Sequence, residues 1–546
     1  MEAPGLDQNW ASPFGLDPRI LAVADTAMAY RFLPSAFGAE VDRLYLAGGD
    51  HLLAIQSWTS SAAWTPASGR AYLDLGDWSN GTVSTDPVVV NYGDFVGSAM
   101  FGPVGDPEYI LYVGMSDGKI LAFRDSVEPG MIANPGNPGA RVTTPMARRV
   151  WDATVDGAIT GIAVFSPDRL WGRTGNETVA VATSTGQLSL FGVASGAWDM
   201  ADESRLGDPL NHTLLGRWQH PGSLAVNLAG GPMRGILPQW SPAFSEDGHR
   251  LAASTSDGVL LMFEASPAGL TERWTLTVAP SVSDWDSPPV IADLPAGGEA
   301  VWAGSTRGWL IPRTLEGSLL DGWADRVGAD GYPDGGVRLI DSQSRPEEGR
   351  VRQPGPAGET MLASTSEGRL YAVRLTGTGA YGPGSQRWSY SDPGLECADP
   401  EFLGAPQTDI ASGSVVVAGR LRSPRGGIEG TVLMVRLTYG SNFRALFSGE
   451  RPFSRPAIGK DVDHIFPSVW VASSGATTTV RALSLGSVNP ENWRSLCAAE
   501  LAFPFLVGIV VIGIVVAVVG VVFWTRVFRR RPPKEEITPV ERRAQL

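Results

Sequence analysis

The feature that most constrains this chain is a short hairpin pattern that recurs along its length. The sequence reads LYVGMSDGKILAF from Leu111 and MLASTSEGRLYAV from Met361. In each copy an apolar strand is followed by a Ser/Thr-x-Asp/Glu-Gly turn and a second apolar strand. Glycine supplies the positive φ of a tight hairpin turn, and the acidic side chain can bond its own turn backbone. Each copy therefore predicts two adjacent antiparallel strands.

Eight copies can be placed, of which the last two are degenerate and one of these has a longer turn. The residues assigned to the turns are Gly49, Asp117, Gly118, Gly186, Asp257, Gly258, Gly308, Glu367, Gly368, Gly430 and Gly475. From Gly49 to Gly475, seven intervals cover 426 residues, about 61 residues each. A two-stranded solenoid coil needs only about 20 to 30 residues. The period predicts an all-β propeller of four-stranded antiparallel blades, eight in number, with seven as the alternative.

A tryptophan follows four of the hairpins at a similar phase. These residues are Trp151, Trp218, Trp274 and Trp388, and a basic residue comes shortly before each, as in RRVW, GRW, ERW and QRW. Tryptophan buries a large area through few rotatable bonds, so one per repeat suits packing between blades. We interpret these four residues as packing residues without a ligand role.

Composition narrows the class of partner. The formal net charge is −14, and no cluster of Lys and Arg precedes residue 526, which disfavours a nucleic-acid partner. Only five His and two Cys occur, which disfavours a zinc or iron site with several such ligands. We therefore predict no metal site, and because no sequence motif identifies a catalytic base or nucleophile, we also predict no cofactor and no catalytic residue.

One segment near the C-terminus differs from the rest. Residues 503–524, FPFLVGIVVIGIVVAVVGVVFW, contain no charged side chain. At about 1.5 Å per residue, a helix of this length matches the roughly 30 Å hydrocarbon core of a bilayer. Aromatic residues stand at both ends, and Arg526, Arg529, Arg530 and Arg531 follow. We predict a transmembrane helix over 503–525 that contacts the lipid bilayer.

The basic flank also predicts an orientation. Arginines next to a span favour the cytoplasmic side, which would place the tail 526–546 in the cytoplasm and the propeller on the exoplasmic or lumenal side. The start, MEAPGLDQNW, lacks the basic and apolar regions of a signal peptide. A cytosolic, tail-anchored propeller therefore remains the alternative.

The repeat resembles that of the quinoprotein (pyrroloquinoline quinone, PQQ)-like β-propeller superfamily. The closest copies are SEGRLYAVRL, with TGTG and Trp388 behind it, and SDGKILAF from Ser116. The resemblance covers roughly residues 40 to 490. It implies one of two functions: a dehydrogenase that holds PQQ and calcium, or a non-catalytic propeller that binds proteins. WD-repeat propellers are the competing match, but here the aromatic residue falls later than their closing Trp-Asp.

The dehydrogenase branch is the less well supported of the two. Many of its alcohol dehydrogenases carry adjacent cysteines, whereas Cys397 and Cys497 lie 100 residues apart. These two residues could form a disulfide or remain unpaired thiols. Sequons at Asn80, Asn176 and Asn211 allow glycosylation in a secretory pathway. We favour the non-catalytic branch, with a PQQ- and calcium-dependent oxidoreductase as the alternative.

The predicted organisation has five parts. They are an N-terminal segment that could supply a closing strand (1–40), the propeller (41–490), a membrane-proximal stalk (491–502), the transmembrane helix (503–525) and a basic tail (526–546). The predicted function is that of a single-pass, membrane-anchored propeller acting as a protein-interaction scaffold, receptor or complex subunit. Loops are where function concentrates on a rigid scaffold, so other proteins would bind through the propeller faces and loops.

Overall fold

In a computed structural model of the chain, Met1–Trp493 forms one compact unit and Arg494–Leu546 another. The structure describes residues 7–13, 28–35, 38–56, 63–65, 72–91, 109–125, 144–165, 176–194, 210–220, 242–255, 259–277, 287–320, 323, 336–340, 346–347, 349–378, 381–391, 400–402, 405–409, 413–422, 428–436, 442–447, 451–452, 456–461, 467–474, 478–484, 512–524 and 526.

The first unit is built from strands that fall into eight consecutive blades of four main strands, which confirms the predicted all-β, eight-bladed propeller. The strands from the start of the chain to the third blade are β1 (Asp7–Pro13), β2 (Met28–Ser35), β3 (Gly38–Gly48), β4 (His51–Gln56), β5 (Trp64–Thr65), β6 (Tyr72–Asp74), β7 (Val88–Asn91), β8 (Tyr109–Gly114), β9 (Lys119–Asp125), β10 (Thr144–Pro145), β11 (Arg148–Thr154), β12 (Ile159–Phe165), β13 (Asn176–Thr183), β14 (Gln187–Ala194) and β15 (His212–Gln219). Blade 1 is β2-β3-β4-β6, blade 2 is β7-β8-β9-β11 and blade 3 is β12-β13-β14-β15.

Blades 4 to 6 repeat the same order of four antiparallel strands. Their strands are β16 (Ala243–Phe244), β17 (Arg250–Ser254), β18 (Val259–Ser266), β19 (Gly269–Thr277), β20 (Val290–Asp293), β21 (Glu299–Gly304), β22 (Trp309–Thr314), β23 (Val337–Arg338), β24 (Gly355–Ala357), β25 (Thr360–Ser364), β26 (Arg369–Arg374) and β27 (Gln386–Ser391). Each consecutive group of four forms one sheet.

The last two blades contain the degenerate copies. Their strands are β28 (Pro400–Phe402), β29 (Gln407–Asp409), β30 (Ser414–Arg422), β31 (Ile428–Arg436), β32 (Asn442–Phe447), β33 (Arg451–Pro452), β34 (Ala457–Asp461), β35 (Pro467–Ser474) and β36 (Thr478–Ser484). Strands β28 and β29 both pair with β30 in blade 7, and β33 is added to β35 in blade 8. Gly430, assigned above to a turn, lies inside β31, where it pairs with Arg420. That assignment was wrong, because the ladder between β30 and β31 continues past Gly430 to the pair Arg422 and Ile428.

The ring is closed by the two ends of the repeat array. Strand β1 pairs antiparallel with β36 and so supplies the outer strand of blade 8. Blades 8 and 1 also meet through a short parallel bridge between β3 and β34. The first strands of most neighbouring blades contact one another, and β2 of blade 1 contacts β34 of blade 8. Closure in this way leaves only short, protected sheet edges.

The core of the ring lies at the junctions between blades. One apolar cluster includes Tyr112 of blade 2 and Val179 of blade 3, and another includes Leu188 of blade 3 and Leu261 of blade 4. Residues on both faces of the middle strands are buried, which explains why these strands read as continuous apolar runs in the sequence.

The hairpin glycines occupy the turns between the second and third strands. Positive φ values occur at Gly49 (59°), Gly118 (84°), Gly186 (84°), Gly308 (72°) and Gly368 (66°). Asp257, Gly258 and Gly475 lie outside the described residues. The local signal in the sequence thus identified turns that only glycine adopts without strain.

Gly118 offers a direct test of this turn. A Cβ at this position would lie 2.4 Å from the carbonyl oxygen of Val155, in addition to the strain of φ +84°. We expect Gly118→Ala to lower the apparent free energy of unfolding by more than about 1 kcal/mol. Chemical denaturation of the two proteins measures this. Gly298→Ala is a control for positive φ alone, because no atom lies within 4 Å of the added Cβ. Equal losses for the two variants would contradict the steric argument.

The second unit contributes one described helix, α1, over residues 512–524. Its apolar side chains are exposed, including Ile512, Val516 and Phe523. Among the described residues, no helix has both the length and the hydrophobicity required to cross a bilayer. Residues 491–511, Thr525 and the tail beyond Arg526 lie outside the described part, so the stalk, the start of the predicted span and Arg529, Arg530 and Arg531 cannot be placed.

Candidate functional site: the turn face of the propeller

The turns between second and third strands lie next to the segments that lead from one blade to the next. We call these turns and crossover segments together the turn face. In blade 1, the N–H of Val83 donates to the carbonyl of Gly49 at 2.6 Å. One residue earlier in the same segment, the carbonyl of Thr82 accepts from Ser116 of the blade 2 turn at 2.7 Å. One crossover thus binds the turns of two consecutive blades.

The same arrangement recurs farther around the ring. Between blades 2 and 3, Val155 donates to Gly118 at 2.9 Å and Ser184 donates to Ala158 at 2.8 Å. Between blades 5 and 6, Leu339 donates to the carbonyl of Gly308 at 2.9 Å. Such backbone bonds fix the positions of the turns relative to one another. The turn face is therefore a preorganised surface, which lowers the ordering cost of binding.

Asp117 shows how one turn side chain reinforces this arrangement. Its carboxylate accepts from its own turn at Lys119, as the sequence predicted, and also from the Ser79 hydroxyl at 2.8 Å. It accepts further from the amides of Asn80 and Gly81. Partial burial raises the pKa of Asp117, but these hydrogen bonds outweigh burial and the net pKa lies below its ordinary value. The residue remains charged well into the acidic range.

The exposed charges of the turn face are separated by sign. Among the described residues, the exposed charged side chains of the turn face over blades 1 to 3 are acidic: Asp50, Asp77, Asp117 and Asp156. Over blades 5 and 6, Arg307 and Arg350 are exposed beside Glu367. Loops on such a scaffold are where recognition concentrates, and separated charges give orientation to an approaching partner.

Beneath the faces, buried carboxylates join neighbouring blades. Asp125, at the end of β9 in blade 2, is fully buried and accepts from Arg43 of blade 1 at 2.7 and 2.9 Å. It also accepts from the hydroxyl of Tyr45 and, at 2.8 Å, from the indole of Trp64. The cluster is a buried ion pair whose carboxylate also accepts hydrogen bonds from neutral donors. A buried ion pair is tolerated when such additional hydrogen bonds are made.

Two other junctions use a related tyrosine–carboxylate pair. The hydroxyl of Tyr112 in blade 2 donates to Glu177 of blade 3 at 2.6 Å. Tyr371 in blade 6 donates at 2.6 Å to Glu347, which lies in the segment leading from blade 5. Burial and the Glu347 carboxylate raise the pKa of the Tyr371 hydroxyl. These acids are thus held by tyrosine donors at the junctions between blades.

We expect Glu177 to make the stability of the ring depend on pH. Burial raises its pKa well above the ordinary value, so the folded protein holds a proton there that the unfolded chain releases at lower pH. We expect this contribution to be complete below the unfolded pKa. It should be lost as the pH rises towards the folded pKa, at about 1.4 kcal/mol per pH unit in that interval.

The matched variant is Glu177→Gln, which cannot ionise and can still accept from Tyr112. We expect the variant to gain stability relative to the native protein as the pH rises from 5 to 8, as measured by urea denaturation at several pH values. A difference between the two proteins that does not change with pH would contradict the assignment.

The four tryptophans predicted to pack between blades lie on the outer strands β11, β15, β19 and β27. Trp151 contacts Tyr112 of its own blade and Phe191 of blade 3, with ring centroids 5.7 and 6.0 Å apart. Trp218 contacts Phe263 of blade 4 edge to face at 5.0 Å. The indole of Trp274 donates to the carbonyl of Leu315 in blade 5 at 2.8 Å.

Trp388 lies against the apolar cluster shared by blades 6 and 7, which includes Val415 and Val417. In β11, β19 and β27 the register shifts directly before the tryptophan, whereas in β15 the shift falls at Leu215, three residues before Trp218. In β19 and β27 the residue skipped is the basic one before the tryptophan, Arg273 and Arg387. Such a β-bulge re-aims side chains and increases local twist. In these two strands the basic residue is therefore the extra residue of the bulge.

The other predicted site residues are placed as follows. Asn80 is exposed on the turn face, Asn211 is exposed just before β15, and Asn176 begins β13. Arg526 is exposed. Cys397 and Cys497 lie outside the described residues, so their pairing stays a prediction.

Sequence reasoning missed the buried acids Asp125, Glu177 and Glu347. The available signal was a tyrosine at the same phase of the first two repeats, Tyr45 and Tyr112.

Comparison with known proteins supports the fold. No family model matches the sequence, and no curated protein matches it. The structure of Sqt1 from Chaetomium thermophilum is 13% identical, covers 89% of this chain and 99% of its own, and has a TM-score of 0.51. BamB from Moraxella catarrhalis is 14% identical over 88% of this chain and 99% of its own, with a TM-score of 0.44. At such identity the similarity to Sqt1 establishes a common propeller fold and nothing finer.

Proposed function

We propose that this protein is a membrane-anchored β-propeller that binds other proteins through its turn face and performs no catalysis. The observation that carries the proposal is the set of backbone hydrogen bonds that fixes the turns of consecutive blades, as at Gly49, Gly118 and Gly308. A surface held in one conformation by its own backbone presents recognition groups without paying to order them on binding.

The charge distribution indicates how a partner would approach. The acidic side chains over blades 1 to 3 attract a basic segment, and the arginines over blades 5 and 6 attract an acidic one. A partner whose surface carries both charges in the complementary order would bind in one orientation. The fold is compatible with this use, because Sqt1 of Chaetomium thermophilum has a structure bound to the N-terminus of the ribosomal protein L10.

The proposed membrane anchor is supported by the sequence and by the exposed apolar side chains of α1. Residues 503–524 contain no charged side chain, and the part described as helical, 512–524, exposes its apolar side chains. An exposed apolar surface of this kind is unstable in water and stable in a bilayer. With the arginines on its C-terminal side, the propeller would lie on the exoplasmic side and the tail in the cytoplasm.

The binding proposal is tested by charge reversal on the turn face. Asp77→Lys/Asp156→Lys changes two exposed acids over blades 1 to 3. The matched control, Glu359→Lys, changes an exposed acid in the turn between the first two strands of blade 6, at the opposite end of the hairpin. Full-length proteins are purified in mild detergent and co-purifying proteins are quantified. We expect the double variant, and not the control, to lose its specific partners. Equal recovery with both would contradict the proposal.

The anchor and the orientation are tested separately. Val515→Arg/Val519→Arg should shift the chain from the membrane fraction resistant to alkaline carbonate into the soluble fraction, because each charge opposes insertion by about 2.5–3.5 kcal/mol near the helix centre. In intact membranes, the tail should be open to protease from the cytoplasmic side and the propeller protected. A propeller digested from that side would instead support a cytosolic, tail-anchored adaptor.

The absence of catalysis has its own test. The full-length protein is incubated with PQQ, calcium, a dye acceptor and a panel of alcohols and sugars. We expect no dye reduction above that of the mixture without protein. Turnover that depends on both quinone and protein would replace the scaffold proposal with the oxidoreductase alternative.

A further inference from the structure

Three potential metal ligands converge at the hairpin turn of blade 1. Asp50 belongs to the turn, His51 begins β4 and Asp74 ends β6. His51 and Asp74 are directly opposite in the antiparallel ladder, so their side chains project from the same face of the sheet. A ligand atom from each of the three residues lies within 4.8 Å of those from the other two.

The ring nitrogen Nδ1 of His51 lies beside the carboxylate of Asp50 and has room for a shared cation. The Nδ1 atom of His51 is buried and lies against Oδ1 of Asp50. The contact lacks hydrogen-bond geometry, and Nδ1 has no other hydrogen-bond partner in the described part of the chain. A nitrogen lone pair and a carboxylate oxygen in contact repel each other unless a proton or a metal ion offsets their charges.

The local backbone keeps space open beside these groups. A 3-10 turn, Leu75–Asp77, follows β6, and the amide of Gly76 donates to Oδ1 of Asp74 at 3.1 Å. A Cβ at Gly76 would lie 3.0 Å from that oxygen and 3.7 Å from Oδ2 of Asp50. Glycine thus leaves a gap where the two carboxylates face each other. The ring of Tyr72 packs edge to face against the imidazole of His51, with the ring centroids 4.6 Å apart.

We propose that Asp50, His51 and Asp74 bind one Zn²⁺ ion. One imidazole and two carboxylates suit zinc, which takes nitrogen and oxygen ligands at about 2.0–2.2 Å, with water completing a tetrahedral site. Calcium and magnesium prefer all-oxygen sites and fit less well. The bound ion would connect the blade 1 turn to the outer strand β6 and would neutralise part of the acidic sector of the turn face. The proposal does not depend on the membrane anchor.

The test is a zinc titration of the tag-free, chelator-treated full-length protein by isothermal titration calorimetry. We expect one saturable site in the native protein. His51→Gln and Asp74→Asn should each weaken binding by at least about tenfold, as even indirect ligand changes do at zinc sites. His249→Gln, at a turn of blade 4, is the matched control and should bind as the native protein does.

The variant Asp50→Asn separates loss of zinc binding from loss of folding. Asp50 is exposed, so its substitution should leave the fold intact, which circular dichroism checks. We expect this variant also to lose affinity, and zinc to raise the melting temperature of the native protein and not of Asp50→Asn. The proposal is overturned if the native protein binds no zinc at a single site, or if Asp50→Asn and His51→Gln bind it as tightly as His249→Gln.

Discussion

Replacing Asp125 with alanine should lower the apparent free energy of unfolding by about 3–5 kcal/mol. The reason is that Arg43, only 1% exposed, would lose the carboxylate that balances its charge between blades 1 and 2. The hydroxyl of Tyr45 and the indole of Trp64 would lose their acceptor in the same step. A buried donor without a partner costs more than the net value of the bond it made.

The measurement is chemical denaturation followed by tryptophan fluorescence. Asp152→Ala is the matched control, because Asp152 forms a half-exposed pair with Arg149 on β11 at 2.6 Å. Pairs of this kind contribute less than about 1 kcal/mol. If Asp125→Ala cost no more than Asp152→Ala, the cluster at Asp125 would not be the connection between blades that the structure indicates.

Replacing Trp151 with alanine should cost a similar amount, about 3–5 kcal/mol, because the change removes a large buried side chain and leaves a cavity. Trp151 is 4% exposed and lies between Tyr112, Phe191 and His212, with its ring stacked on the imidazole at 5.0 Å. Those partners belong to blades 2 and 3, so the cavity would open at their junction.

Trp218 provides the comparison, since it occupies the equivalent outer strand of blade 3 but is only half-buried. Trp218→Ala should therefore destabilise the protein by less than Trp151→Ala in the same denaturation experiment. Were the order reversed, or were both losses below about 1 kcal/mol, the role of these residues in joining the blades would have to be abandoned.

The repeat was predictable because its signals are local. Asp117 and Gly118 are adjacent to the strands they connect, and a hairpin turn depends only on the conformations of a few consecutive residues. The four tryptophans were found for the same reason, since each belongs to a strand of its own repeat. The β-bulges beside Trp151, Trp274 and Trp388 were not predicted, because a shift of register is visible only when the partner strand is known.

The contacts of the buried acids could not be predicted from the sequence. Asp125 is 82 residues from Arg43, and Glu177 is 65 residues from Tyr112. Nothing in the stretches FRD and NET distinguishes these carboxylates from charged residues at exposed strand ends. The contacts of Asp117 with Ser79 and Asn80 are of the same kind, because they join a turn to the segment arriving from the preceding blade.

The sequence alone determined the hairpins, their number and the four-stranded unit, because strand pairing and glycine turns follow from periodicity and local backbone preference. The tertiary structure alone decided which groups meet. These are the carboxylates at the junctions between blades, the backbone hydrogen bonds of the turn face, and the side chains of Asp50, His51 and Asp74. These encounters require the ring to close, since closure brings β1 to β36 and fixes the spacing of every junction. The distance between two residues along the sequence does not reveal such contacts until that closure is known.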